Sequence, residues 1–196
     1  TGDELVGVNE IPLEHQIRRS NVFTLVSLLE RLNISSETAH ITDDKHILKS
    51  GIIRSFYKDE KGKENIRFLH NGPTVVGSFY SLILNKPSTI TYDCLTDCTL
   101  LECDFKVFKR LAKNNVELSN LYNSILEKNY LDMENRIHDL TSLDATELYL
   151  KLKSESPEIE KLIPLYHIAS YLNVTPVQLS RIRRDLYKKV KTTDNI

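Results

Sequence analysis

Hydrophobic and polar residues follow one spacing between residues 47 and 103 and another after residue 104, and the change predicts two kinds of structure. In the first region, apolar stretches rich in β-branched and aromatic residues alternate with turn signals such as DEKGKE around Gly62 and NGP at 71–73. Short strands joined by close turns are typical of an antiparallel sandwich or jelly roll. The predicted strand segments are ILKSGIIRSFY, NIRFL, TVVGSFYSLI, STITYDCL and CTLLECD.

Apolar residues at helical spacing predict helices on both sides of this β region. Before it, residues 13–32 predict one or two helices. After it, FKVFKRLAKN predicts a short helix, and residues 116–140 predict a long one. TSLDATELYLKLKSE predicts a further helix, in which Asp144 is the expected N-cap and Glu147 the third helical residue.

The predicted long helix carries a stripe of large apolar residues on one face: Tyr122, Leu126, Tyr130, Met133, Ile137 and Leu140. Their spacing of 4-4-3-4-3 is close to a heptad seam. Packing on the helix's own domain is the commoner fate of such a stripe, but this one is long and flanked by charged residues. We therefore expect a homodimer formed through Leu126, Tyr130, Met133, Ile137 and Leu140.

The segment IPLYHIASYLNVTPVQLSRIRRDL at 163–186 predicts a helix-turn-helix. Asn173 stands where the chain must turn, and Asn tolerates a left-handed backbone better than most residues with a Cβ. Thr175 suits the N-cap of a second helix, and Pro176 suits its first position. Ile168, Ala169, Leu172, Leu179, Ile182 and Leu186 form the predicted buried face.

The outer face of this second helix is expected to meet DNA. It begins with Thr175 and Pro176 and continues with Val177, Gln178, Arg181, Arg184 and Lys188. Arg and Gln can bond bidentately to guanine and adenine edges, whereas Lys suits phosphates. A plain helical hairpin with a basic surface is the alternative. The agreement of corner, cap, apolar stripe and charge favours the helix-turn-helix.

Charge and composition support this assignment. The net charge is −1, but it is unevenly distributed. Residues 161–196 hold seven Lys or Arg against two Asp, so the C-terminal part is basic and the rest of the chain is acidic. Hydrophobic residues make up 40% of the chain, without a run long enough to span a bilayer, and the first residues do not match a secretory signal. Cys94, Cys98 and Cys103 are an odd number, which favours reduced thiols. We expect a cytoplasmic protein with no membrane partner.

Residues 47–186 resemble the CRP/FNR family of bacterial transcription regulators. The resemblance rests on KSGIIRSFYKDEKGKE, GSFYSL, CTLLECDFKVFKRL and above all IASYLNVTPVQLSRIRR. It implies an α+β chain with an N-terminal, cyclic-nucleotide-binding-like β-roll, a long dimerisation helix and a C-terminal helix-turn-helix. The implied domains are 1–115, 116–140 and 141–196. Thr175 to Gln178, Arg181 and Arg184 match the family's DNA-facing positions.

The chain departs from the family's pattern at three places. Gly77-Ser78 and Ser88-Thr89 occupy the effector-binding positions, where cyclic-AMP binders carry Gly-Glu and Arg-Ser or Arg-Thr. Without that Arg, which would pair the cyclic phosphate, an effector other than cyclic AMP is expected. ISSETAHITDD is short for the strand and turn that usually precede the roll, and the ten residues after Leu186 predict a truncated or missing wing.

The expected function is therefore a homodimeric regulator that binds an inverted repeat in double-stranded DNA under the control of a small molecule. RNA polymerase is a further candidate partner. Scattered histidines and the placement of the cysteines argue against a metal enzyme and an iron–sulfur sensor, so we expect no enzyme activity, metal or cofactor. Two alternatives stay open: a ligand-sensing module with weak or absent DNA binding, and a cupin-type metalloenzyme.

Overall fold

Two small antiparallel sheets form the first part of the molecule. The computed structural model describes residues 45–193, and the helices predicted in 13–32 lie outside them. One sheet has the order β4-β1-β6 and the other the order β3-β2-β5. The strands are β1 (Lys45–Ser50), β2 (Ile52–Lys58), β3 (Glu64–Asn71), β4 (Thr74–Val76), β5 (Thr91–Cys94) and β6 (Thr99–Cys103). The predicted antiparallel β region is confirmed.

Alternation along β1 shows how the roll is packed. Leu48 packs with Ile53 and Val76, while its neighbour Ile47 packs against Phe105 and the helices that follow the sheets. Successive side chains of a strand point to opposite faces, so β1 is buried on both of its faces. The predicted turn at Gly62 joins β2 to β3, and its φ of 78° is a conformation that glycine adopts without strain.

Helices make up the rest of the described chain, and the predicted α+β class is confirmed. They are α1 (Phe79–Leu84), α2 (Phe105–Ala112), α3 (Val116–Ser142), α4 (Ala145–Glu155), α5 (Ile159–Leu162), α6 (Leu165–Tyr171) and α7 (Pro176–Thr193). Asp144 caps α4 in a capping box with Glu147, as predicted. No described helix is long and apolar enough to cross a membrane.

One predicted strand segment is wrong. TVVGSFYSLI forms a strand only at Thr74–Val76, and its second half is helix α1. The Ser78 Oγ accepts a hydrogen bond from the Ser81 N–H, which caps the helix start, and Asn85 ends it with a left-handed φ of 52°. These two cap residues outweigh the β propensity of the aromatic residues between them.

The long helix α3 divides into two halves with different surroundings. Leu118, Leu121 and Ile125 are buried against the roll. The second half leaves the roll and leads to the helices α4 to α7, which we call the head. Leu148, Leu152, Ile168, Leu172 and Leu179 are among the buried residues of the head's core. Helix α7 continues to Thr193, so no wing hairpin follows it within residues 45–193.

Candidate nucleic-acid interface and ligand cavity

The corner between α6 and α7 has the conformation that the sequence predicts. Asn173 has a left-handed φ of 55°. The Val174 N–H donates to the Ala169 carbonyl at 3.0 Å, which closes the turn. Ala169 itself is 1% exposed, so only a small side chain fits where the two helices cross. These contacts fix the angle at which α7 leaves the head.

A reciprocal pair of hydrogen bonds begins helix α7. The Gln178 N–H donates to the Thr175 Oγ1 at 3.2 Å, and the Gln178 Oε1 accepts from the Thr175 N–H at 2.8 Å. This is a capping box, which satisfies two backbone donors at a helix start. The predicted N-cap is therefore present. The Gln178 side chain also has a structural role, because its oxygen is engaged while its NH₂ group keeps two donors.

The face of α7 opposite its buried stripe is open to solvent. Leu179 is buried and Ile182 and Leu186 are partly buried against the head. The residues predicted to meet DNA are all exposed: Thr175, Pro176, Val177, Gln178, Arg181, Arg184 and Lys188. The structure thus brings the seven predicted positions onto one helix and its cap, all of them accessible.

Arg183, for which the sequence pattern predicted no role, anchors α7 to the rest of the head. Its Nε lies 2.7 Å from the Glu160 Oε1, and the Tyr149 hydroxyl donates to the same oxygen at 2.7 Å. Burial, followed by the hydrogen bond to Glu160, raises the pKa of Tyr149 to about 12, so this hydroxyl keeps its proton. The three side chains tie α7 to α4 and α5.

The predicted dimerisation stripe stands open on the second half of α3. Tyr130 is 63% exposed, Met133 44%, Ile137 55% and Leu140 47%. Leu126 is partly buried, since it lies closer to the roll. An accessible row of large apolar side chains is unusual for a surface that meets only water.

A cavity of about 180 Å³ lies between the roll and the middle of α3, from Ser124 to Met133. Aromatic and apolar side chains dominate its wall, with polar groups contributed by Ser55, His70 and Arg67. The Ser55 Oγ and the His70 Nε2 form a hydrogen bond of 3.0 Å. Lys128 and Asp132 of α3, which form an ion pair, line the same cavity.

Burial keeps two titratable side chains of the cavity wall, His70 and Tyr92, in their neutral forms. Burial lowers the pKa of His70 to about 4, against the opposing attraction of the Asp132 carboxylate. Burial likewise raises the pKa of Tyr92, a further wall residue, to about 12. At neutral pH both side chains are uncharged, and they can exchange hydrogen bonds with a bound molecule.

The predicted effector positions divide into two groups. Gly77 and Ser78 line the cavity, and the Ser78 side chain is engaged in capping α1. Ser88 instead bonds to its own loop, since its Oγ accepts from the Ile90 N–H at 3.0 Å. Thr89 is exposed, and neither it nor Ser88 is among the described wall residues. No pattern in the sequence indicated Ser55, His70 or Tyr92 as wall residues.

The head packs directly against the roll. The Arg54 guanidinium lies 2.6 Å from both the Glu64 and the Asp93 carboxylates, and its Nη1 lies 3.3 Å from the Nδ1 of His167 in α6. Burial, then the nearby Arg54 charge, lowers the pKa of His167, so Nδ1 can accept this bond. The Ser170 hydroxyl of α6 bonds to the backbone of β3.

Arg136 of α3 makes a second link to the head. It is 7% exposed, its guanidinium lies 3.9 Å from the centre of the Tyr171 ring, and its Nη2 donates to the Tyr171 carbonyl. Among the described residues its Nε and Nη1 have no hydrogen-bond partner. Burial lowers the pKa of Arg136. The junction of α3 with α6 therefore holds a buried cation at a cost in free energy.

Other site chemistry is not assembled in the part of the chain that the structure describes. No group of three His, Cys, Asp or Glu residues is placed to hold a metal ion there. Cys94 is exposed, Cys98 is partly buried and both are free thiols. The arrangement available for function is an exposed basic helix, an exposed apolar stripe and a partly open cavity.

Solved structures with this arrangement include three bacterial proteins. FixK2 from Bradyrhizobium japonicum has a TM-score of 0.63 at 14% identity and covers 79% of each chain. The c-di-GMP responsive global regulator CLP of Xanthomonas campestris has 0.61 at 16%, over 84% of this chain and 92% of that one. A protein from Eubacterium rectale, described as a transcriptional regulator of the CRP/FNR family, has 0.61 at 17%, over 94% and 89%. The chain has the CRP/FNR fold.

In terms of the CRP/FNR fold, the two sheets are the β-roll, α3 is the long helix and α6 with α7 is the helix-turn-helix. No protein-family model matches the chain. A 59-residue match is 44% identical to a molybdopterin molybdenumtransferase of Synechocystis sp., and it spans 30% of this chain and 14% of that enzyme. The chain thus spans a small part of that curated relative, whose activity does not follow from the match.

Proposed function

We propose that the chain is a sequence-specific, double-stranded-DNA-binding transcription regulator and has no catalytic activity. The observation that carries this proposal is the presentation of α7. Its cap and buried stripe hold Arg181, Arg184 and Gln178 on an exposed face, which is the arrangement that reads base edges in the major groove. The structural relatives include proteins named as regulators, which supports the same role. A cytoplasmic location accompanies it.

The protein acts as a homodimer in this proposal. The exposed stripe Tyr130, Met133, Ile137 and Leu140 supplies an apolar surface that a second copy would cover. Two-fold pairing of α3 duplicates the head, and two recognition helices related by a two-fold axis match an inverted repeat. A regulator bound beside a promoter then has RNA polymerase as a candidate partner.

A small molecule other than cyclic AMP controls the DNA contact in this proposal. The cavity has an aromatic and apolar wall with the Lys128–Asp132 ion pair and Arg67 at its polar positions. Ser88 stands in the sequence where cyclic-AMP binders carry the phosphate-pairing Arg. A cyclic phosphate would lose a bidentate, charge-assisted contact there. Calorimetry with cyclic AMP is expected to show weak or no binding, and a dissociation constant in the low micromolar range would contradict this expectation.

Selection of bound sequences from random DNA tests the function. A shared inverted motif should emerge, and the logarithm of its binding constant should fall linearly with the logarithm of salt concentration. A scrambled duplex of the same length is the control. Recovery of unrelated sequences would overturn the proposal. Repeating the selection with extracts of cell metabolites would reveal an effector as a change in the protein's affinity for the selected DNA.

The alternative is a ligand-sensing module with weak DNA binding. One observation favours it: the cavity is lined by the roll and α3 alone, so a ligand site is present independently of how tightly α7 binds DNA. This alternative predicts ligand-dependent stabilisation of the protein together with DNA binding that does not distinguish the selected site from the scrambled duplex.

A further inference from the structure

Strand β3 reaches both the ligand cavity and the head. Its end near the β2–β3 turn contributes the backbone of Glu64 and Ile66 to the contact with α6. Its other end contributes Phe68 and His70 to the cavity wall. Arg67, which follows Ile66 directly, also lines the cavity, so the two contacts are adjacent along the same strand.

The contact with the head uses an outer edge of the sheet. Among the strands of residues 45–193, β3 has a strand neighbour on one side only, in the order β3-β2-β5. On the other side, the Ile66 N–H donates to the Ser170 Oγ at 3.2 Å, and the same hydroxyl donates to the Glu64 carbonyl at 3.1 Å. The Ser170 hydroxyl thus makes the two backbone hydrogen bonds that a neighbouring strand would make at this edge of β3.

Strand β2 repeats this division between head and cavity. Arg54 bonds to His167 of α6, while the next residue, Ser55, bonds to His70 at the cavity. Adjacent side chains of a strand point to opposite faces. Both strands therefore place one contact on the head and the neighbouring contact on the cavity.

A bulge lies between the two ends of β3. Ser55 pairs with Phe68 and the next residue, Phe56, pairs with Ile66, so Arg67 is an extra residue in the ladder. A bulge interrupts strand pairing and bends the strand locally. Arg67 also lines the cavity. A change at the cavity wall can therefore alter the bend of β3 beside its contact with Ser170.

We propose that β3 transmits the state of the cavity directly to the DNA-binding head of the same subunit, with Ser170 as the connecting residue. This inference rests on the proposed function and adds a route that does not pass through the long helix. Since coupling between two sites is reciprocal, occupation of the head by DNA must in turn change the cavity end of β3.

Hydrogen exchange of single amides tests the link without DNA. Ser170→Ala should speed exchange of the Ile66 amide by about tenfold, the loss of one hydrogen bond, whereas Ser154→Ala on the exposed face of α4 should not. At the cavity, Ser55→Ala should alter exchange at Ile66 by at least about threefold, and the same Ser154→Ala control, away from the cavity, should leave it unchanged. Unchanged exchange at Ile66 in Ser55→Ala would overturn the proposal.

A second arm uses the selected DNA duplex. Binding of DNA to the parent protein should change amide exchange at Phe68 and His70, and the change should disappear in Ser170→Ala at saturating DNA. A change that persists in Ser170→Ala would overturn the route through β3. Failure of the parent to bind DNA would overturn the proposed function alone, because the first arm measures the link without DNA.

Discussion

The arginines of α7 show how one residue type acquires different roles from its surroundings. Arg183 is engaged with Glu160 and its side chain is 26% exposed, whereas the Arg184 side chain is 62% exposed and lies beside Asp185. Arg181 is exposed on the outer face. Helical spacing alone was sufficient to place Arg181 and Arg184 outward. The partner of Arg183 lies 23 positions earlier in the chain, beyond the reach of a local pattern.

Arg181 is expected to be the main base reader. Arg pairs bidentately with guanine O6 and N7, so Arg181→Ala should cost about 1–3 kcal/mol at the selected site and relax the preference at one position of each half-site. Titration of the selected and scrambled duplexes measures both effects. Lys188→Ala is the comparison variant. Loss of a phosphate contact should weaken binding to both duplexes alike and reduce the slope of the binding constant against salt concentration.

An equal loss of affinity for both duplexes in Arg181→Ala would mean that Arg181 contacts phosphate. Sequence reading would then belong to Arg184 and Gln178. Gln178 is the more constrained of the two, because its oxygen caps the helix and only its NH₂ group is left to donate.

His70 makes the stability of the roll depend on pH. Its folded pKa of about 4 lies below the unfolded value of about 6.5. As pH falls, the unfolded chain therefore binds a proton first, and folding stability is lost between about pH 6.5 and 4. The parent should lose about 1–2 kcal/mol more unfolding free energy than His70→Gln between pH 7 and 5. Urea unfolding at the two pH values measures this difference, and equal losses would contradict it.

At the scale of elements, local signals decided which structures could be predicted. The helix-turn-helix has its corner, cap and buried stripe within 24 consecutive residues, and all three were readable from the sequence. Helix α1 was missed because its aromatic residues favour a strand and its two caps are short polar residues common in turns.

The cavity could not be predicted in the same way. Its wall combines residues of β2, β3, β4, α1, β5 and α3, with Ser55 and Asp132 far apart in sequence. Only Gly77 and Ser78 were found, through their match to family positions. Hydrophobic periodicity identifies which face of an element is buried and carries no information about which buried faces leave a space between them.

The open stripe on α3 should hold two copies together. Each large side chain that becomes buried contributes roughly 1.5–3 kcal/mol, so a Met133→Asp and Ile137→Asp double variant should be monomeric. Sedimentation at micromolar concentration measures the change. A control that adds two Asp residues at exposed positions outside the stripe, Asn120→Asp and Asn135→Asp, should stay dimeric. A parent protein that is already monomeric would refute the assignment.

At the scale of the whole molecule, the roll and the head share a core. Ile52 of the roll is 2% exposed and belongs to the same cluster as Leu148, Ile168 and Leu179 of the head. Together with Arg136 on Tyr171 and Ser170 on β3, this packing fixes the direction of α7 within one subunit. Pairing through α3 would then give the two recognition helices one defined separation.

A defined separation predicts a strict spacing between the two half-sites. Two-fold related recognition helices on one face of B-DNA contact half-sites about 10–10.5 bp, or one helical turn, apart. Inserting about 5 bp at the centre of the selected site turns one half-site to the opposite face of the duplex, so only one head can engage. Affinity should fall to that of a duplex with a single half-site. Titration at fixed salt measures it, because each lost phosphate contact also lowers the slope of the binding constant against salt concentration.

Exchange of the same number of central base pairs without insertion is the control and should retain most of the affinity. An insertion that leaves affinity unchanged would mean that each head binds DNA independently, and the shared core of roll and head would then not fix the placement of α7 in the dimer.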